Sequence, residues 1–167
     1  MMQTPHVQQQ DAIQGSSLLE VRAALQSAQV RDRNVTGYGI RVLRDLNFKT
    51  IVVFTPKEDE SGAIAIRDNT LLPAAELPAI LATAKQTDSL HAGNLAPILA
   101  AASVVEQRKL GLDGYRVALL RSGTSYVVTF TDKDAQPGGR GSPGKRLGFE
   151  VELSTIDLHV IRSNFIR

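Results

Sequence analysis

The feature that most constrains this chain is that it repeats itself. Gly37-Tyr38 returns as Gly114-Tyr115, and at that same spacing Ile40 meets Val117, Leu43 meets Leu120 and Arg44 meets Arg121. After a one-residue gap, Ile51-Val52 meets Val127-Val128, Phe54-Thr55 meets Phe130-Thr131 and Lys57 meets Lys133. Upstream, Leu18 and Ala23-Ala24 meet Leu95 and Ala100-Ala101. A period of this length marks one supersecondary unit used twice. The expected division is a disordered lead-in over 1–15, a first helix-plus-strands repeat over 16–88 and a second over 89–167.

The periodicities say what each repeat contains. Ser16-Ser17 can cap a helix, with Glu20 in capping-box spacing and Leu18, Val21 and Leu25 on one face. From Tyr38 the period drops to two, and Tyr38-Ile40-Val42 and Lys49–Phe54 read as two strands. Ala63–Arg67 reads as a third strand, and Ala74–Lys85 as a helix after Pro73. In the second half Asn94 is placed to cap a helix carrying Leu95, Ile98, Leu99, Ala102 and Val105, with Pro97 in its first turn. A turn at Ser122-Gly123 would set Tyr115 opposite Phe130, Val117 opposite Val128 and Leu119 opposite Tyr126, all on one face. A turn at Ser154-Thr155 would likewise bring Phe149, Val151 and Leu153 onto the face of Val160, Leu158 and Ile156. The fold class is therefore α+β, two helix-plus-antiparallel-sheet repeats in tandem.

Composition narrows the chemistry. Cysteine is absent, which removes disulfides, thiolate catalysis and cysteine-ligated metals. The 19 basic and 17 acidic residues nearly cancel, so no nucleic-acid partner is expected. No apolar run is long enough to cross a bilayer as a helix, so no membrane association is expected either. The opening segment, Met1 to Gln10, lacks the apolar stretch of a secretion signal; a complete chain would be cytoplasmic, and a trimmed one periplasmic.

A helix followed by a curved antiparallel sheet resembles the cystatin-like and NTF2-like modules. Two of them in tandem, each filling nearly half of the chain, are similar in layout to the β-lactamase-inhibitor-protein architecture. That resemblance, carried by the element pattern over most of the chain, implies a binding surface for a protein partner, with an inhibitor or immunity-type role within its range.

The residues with chemical potential are few. Gly139–Arg146 approaches a phosphate-binding P-loop, but Arg146 stands where the hydroxyl belongs and a strand follows. What remains is a basic loop of Arg140, Lys145 and Arg146, able to touch an anionic partner. On the last hairpin the expected register pairs Glu150 with His159 and Glu152 with Asp157, a polar face able to bind a metal or move protons, or simply to carry cross-strand charge pairs. No residue is assigned a catalytic role, no metal site or cofactor is expected, and enzyme status is left open. The leading expectation is a non-enzymatic binding or accessory protein presenting a sheet or groove to a protein partner. The alternative is a small ligand-binding or enzymatic domain with its pocket between helix and sheet.

Overall fold

A computed structural model describes residues 8–27, 30–57, 62–134 and 146–166. The elements run β1 (Gln8–Gln14), α1 (Gly15–Gln26), β2 (Tyr38–Arg44), β3 (Thr50–Pro56), β4 (Ile64–Arg67), β5 (Thr70–Leu71), α2 (Leu77–Thr83), β6 (Lys85–His91), α3 (Leu95–Gln107), β7 (Tyr115–Ser122), β8 (Ser125–Asp132), β9 (Gly148–Ser154) and β10 (Val160–Ile166). The α+β class expected from the sequence is what the chain adopts, with two five-stranded antiparallel sheets. None of the helices among the described residues is long and apolar enough to cross a membrane.

The chain divides into two compact units, one spanning Ser17–Gly93 and the other made of the segment up to Ser16 together with Asn94 onward. The first carries the sheet β5-β4-β3-β2-β6, the second the sheet β1-β7-β8-β9-β10. Residues 8–14, read from the sequence as part of a lead-in, are therefore strand β1, paired along β7 from Gln14↔Arg116 to Gln8↔Arg121. Each sheet opens with the strand that precedes the other unit's helix. Gln-rich β1 and polar β6 are edge strands without apolar alternation, joined to their sheets through the backbone ladder. That is why neither registered as a strand in the sequence.

Several positions separated by the interval from Tyr38 to Tyr115 have similar surroundings in their own units. β1 and β6 are offset by that interval along their whole length. Ile13 faces Val117 as Leu90 faces Ile40, and Asp11 faces Leu119 as Asp88 faces Val42. Each leading strand has its register irregularity at the same point, next to the aspartate. Leu18 and Leu95, Val21 and Ile98, and Ala24 and Ala101 are all buried.

In the Ser17–Gly93 unit, Ile51-Val52-Val53-Phe54 is buried without alternation, as expected of a strand covered on both faces. Leu43, Ile51, Val53 and Ala65 pack with Leu72 and with Leu77 at the start of α2. On the opposite face, Val52 and Ile66 border a hollow whose other side is Ala23 and Ala24 of α1. In the other unit α3 buries Leu95, Pro97, Ile98, Ala101, Ala102 and Val105. Fully burying an aliphatic side chain of this size contributes about 1.5–3 kcal/mol. Leu99, expected in that stripe, is only half-buried, because the sheet meets the helix along positions 98, 101, 102 and 105.

The two expected helix caps are used differently. Ser17 lies inside α1 and its hydroxyl donates to Asp88 at 2.5 Å, while the Asn94 amide donates to Asp11 at 2.7 Å. The β7–β8 turn is Gly123-Thr124, one residue later than expected, with Gly123 in the left-handed region at φ 59°. Val117 therefore faces Phe130, and Leu119 faces Val128. A slip of two preserves the faces, so Tyr115, Val117, Val128 and Phe130 all remain buried. At the β1–α1 junction glycine is required: a methyl on Gly15 would collide with the Leu112 carbonyl.

Candidate functional site

The polar face expected on the last hairpin does not assemble. Leu153 pairs with Val160, so residues 155–159 form a loop in place of a two-residue turn. Local bonds build that loop. The Ile156 N–H donates to Ser154 Oγ at 3.1 Å, the Leu158 N–H to the Ser154 carbonyl at 3.0 Å, and Leu158 takes a left-handed φ of 60°. Leu158 and Ile156 thereby leave the apolar face, and Ile156 is 91% exposed. Glu150 lies opposite Asn164, not His159, and Glu152 opposite Arg162, not Asp157. Glu152 receives Arg162 at 2.9 Å and the Ser125 hydroxyl at 2.8 Å. His159 instead meets Asp157 within the loop, its Nδ1 2.5 Å from Oδ1, and its backbone N–H donates to the same oxygen at 3.1 Å. The imidazole contact, followed by that backbone bond, holds the Asp157 carboxyl below its usual range. The four residues fall into three separate places, Glu150 opposite Asn164, Glu152 with Arg162, and Asp157 with His159, the ordinary cross-strand and loop chemistry of a sheet end.

Of the basic loop, Arg140 and Lys145 lie outside the described residues. Arg146 lies at its end and is engaged by Asp132, a buried carboxylate. Asp132 accepts the Asp134 N–H at 2.9 Å on one oxygen and the Arg146 N–H at 2.8 Å on the other, with the Arg146 guanidinium 3.7 Å away. Those bonds, the one from Asp134 foremost, depress its pKa. Tyr115 packs edge-on to Phe130 and donates from its hydroxyl to the Leu147 carbonyl at 3.2 Å; burial raises its pKa. Arg146 is thus a structural cation that ties the chain after β8 to the chain before β9.

The most exposed aromatic side chain among the described residues lies elsewhere, in the turn between β2 and β3. Phe48 is 82% and Leu46 76% exposed. Asp45 organises the turn: one carboxylate oxygen accepts the Asn47 N–H at 2.8 Å and the Lys49 N–H at 2.9 Å, and the other meets Arg67 at 3.2 Å. The bond from Lys49 is the main cause of its lowered pKa. The backbone adds Asp45 N–H to the Lys49 carbonyl and Phe48 N–H to the Asp45 carbonyl, both at 3.0 Å. Phe48 is held at φ 62°, a conformation that costs a bulky L-residue about 1–2 kcal/mol. The sequence marked this stretch only as a break between strands. Its readable signal was the Asp45-x-Asn47 turn chemistry enclosing two large apolar residues.

A second apolar feature is β10 at the open edge of its sheet, where Val160, Ile161 and Phe165 are 44%, 50% and 44% exposed. β1 and β6, at the other long edges, carry mostly Gln, Asp, Lys, Ser and Thr.

Comparison with known proteins found no matching family profile, no matching curated protein and no matching solved structure.

Proposed function

We propose that the chain is a binding protein that seats the β2–β3 turn, led by Phe48 with Leu46 beside it, in an apolar cleft of a protein partner. The observation that supports this reading is Phe48 itself: an aromatic side chain turned into solvent on a backbone that disfavours it, in a turn held by the Asp45 network. Neither the exposure nor the strain serves the core, and strain of this kind persists at sites of function. An ordered turn binds with little loss of conformational entropy, and buried aromatic anchors supply most of the energy of protein interfaces. An inhibitor or immunity-type role is one form of this reading. The exposed apolar residues of β10 offer a second surface to the same class of partner.

The test is a photo-crosslinking residue at position 48, with one at Asn34 as control, followed by purification of the captured protein and its titration with wild type and Phe48→Ala. Binding weakened at least about tenfold by the substitution, with an unchanged melting temperature, is the expected result. Equal affinity for both forms, or sedimentation of wild type but not Phe48→Ala with lipid vesicles, would overturn it.

We also infer that the two halves derive from one strand–helix–four-strand module by tandem duplication. In its support stand the common offset of β1 and β6, the matching buried positions, and the aspartate on each leading strand bonded from equivalent helix positions 17 and 94.

A further inference from the structure

In the Ser17–Gly93 unit, α2 covers only part of one sheet face. The row beyond it crosses three strands as His91, Gly39 and Thr55, with Gly39 paired to both neighbours. Glycine weakens a strand and is kept there for a bulge or for the close approach of another group. Gly39 has no positive φ to justify it, and a methyl added there would find only the Thr55 carbonyl, 3.9 Å away. Packing therefore does not demand glycine at this point. At the equivalent position of β7, the other unit carries Arg116. The missing side chain leaves a hollow of about 420 Å³, within the size range of small-molecule sites, bordered by Tyr38, Thr55, Lys57 and His91. Arg41, the next residue on the same face, reaches toward it, its guanidinium 3.5 Å from Thr55 Oγ1. Gly37 and Gly93 complete the rim.

Among the described residues, the charged side chains at this hollow, Lys57 on its rim and Arg41 beside Thr55, are both basic. His91 borders the hollow beside Lys57, and none of the described lining residues is a carboxylate. Thr55 and Thr36 add hydroxyl groups to the lining, and the glycines leave the floor open. We propose that the hollow over Gly39 binds a small phosphomonoester, its phosphoryl oxygens facing Lys57, Arg41 and His91 and its apolar body lying on the glycine floor beside Tyr38. A dianion is favoured over a monocarboxylate because charge-assisted bonds scale with ligand charge, and Lys57 on the rim and Arg41 beside Thr55 are both within the site's surroundings. The site is independent of the β2–β3 turn.

The experiment titrates the full chain with phenyl phosphate and, separately, with benzoate and inorganic phosphate, following the backbone amide resonances of Gly37, Gly39 and Gly93. Phenyl phosphate should give saturable shifts confined to these residues and their neighbours. Benzoate and inorganic phosphate should each bind at least about tenfold more weakly, lacking respectively the second charge and the apolar body. Gly39→Leu should fill the hollow and abolish the shifts while the protein still melts cooperatively. Lys57→Ala, an exposed change, should weaken binding without altering the melting temperature. Absence of saturable shifts with phenyl phosphate, equal binding of benzoate, or binding unaffected by both substitutions would overturn the assignment.

Discussion

Asn94 donates from its side-chain amide to the carboxylate of Asp11 at 2.7 Å, joining the start of α3 to strand β1. The bond has a counterpart at the matching place in the other unit, where Ser17 on α1 donates to Asp88 on β6. In each unit a helix start therefore grips the leading strand beside its register irregularity. A hydrogen bond to an ionised partner contributes about 1.5–3 kcal/mol. Asp11→Ala and Asp88→Ala are each expected to lower stability by about that amount. Denaturant melts of the Ser17/Asp88 double-mutant cycle should show coupling; additive effects would mean that the bond contributes nothing to folding.

Asp132 makes stability sensitive to acid. Its carboxyl is depressed in the folded chain, so its contribution is fully present above the ordinary value of 3.8 and is lost as pH falls through the lower folded value. Asp132→Asn should melt below wild type at neutral pH, and the gap should close as pH drops below 3.8. Thermal scans across that range decide the matter, and a gap constant with pH would contradict it.

Ile98 and Leu99 are neighbours with different burdens. Ile98 is fully buried and Leu99 half-buried, so Ile98→Ala should cost about 2–5 kcal/mol and Leu99→Ala clearly less. Urea unfolding of the two variants provides the comparison, and a larger loss at Leu99 would place α3 wrongly on its sheet.

Because the chain has no cysteine of its own, the β9–β10 register can be tested by paired cysteines. Glu150→Cys with Asn164→Cys places the two residues opposite each other and should oxidise to an intramolecular disulfide. Glu150→Cys with His159→Cys, the pair a two-residue turn would have joined, should stay reduced under the same mild oxidation. Thiol titration reads both.

Phe48→Gly separates folding from binding at the β2–β3 turn. Removing a side chain from the left-handed region relieves about 1–2 kcal/mol of strain, part of which glycine's flexibility offsets. Stability should hold or rise by up to about 1 kcal/mol, while partner binding falls. A marked drop in melting temperature would assign Phe48 a structural role.

Much of this architecture was legible in the sequence because side-chain period reports directly which face of a strand or helix is buried. Tyr115, Val117, Val128, Phe130 and Val151 alternate, and all are buried on one face. Ile98, Ala102 and Val105 follow the helical period, and they line α3 against its sheet. The interval between the matching segments likewise needed no coordinates, since Gly-Tyr, Leu-Arg and Phe-Thr recur in order.

What the tertiary structure decided is which residue stands opposite which. A slip of two along a strand leaves every face unchanged, so the pattern at 115–130 admits either turn equally, and the backbone at Gly123 chose. In the last hairpin, bonds from the Ile156 and His159 N–H groups to the Ser154 hydroxyl and the Asp157 carboxylate lengthened the turn and parted His159 from Glu150. Strands β1 and β6 carry no apolar alternation, and each joins the sheet of the unit other than that of the helix it precedes. An edge strand is bound by its main chain, which every residue shares, so only the assembled sheet determines where it joins. Ser17 and Asn94 donate to Asp88 and Asp11, carboxylates distant in sequence that come within reach only once strand and helix have met.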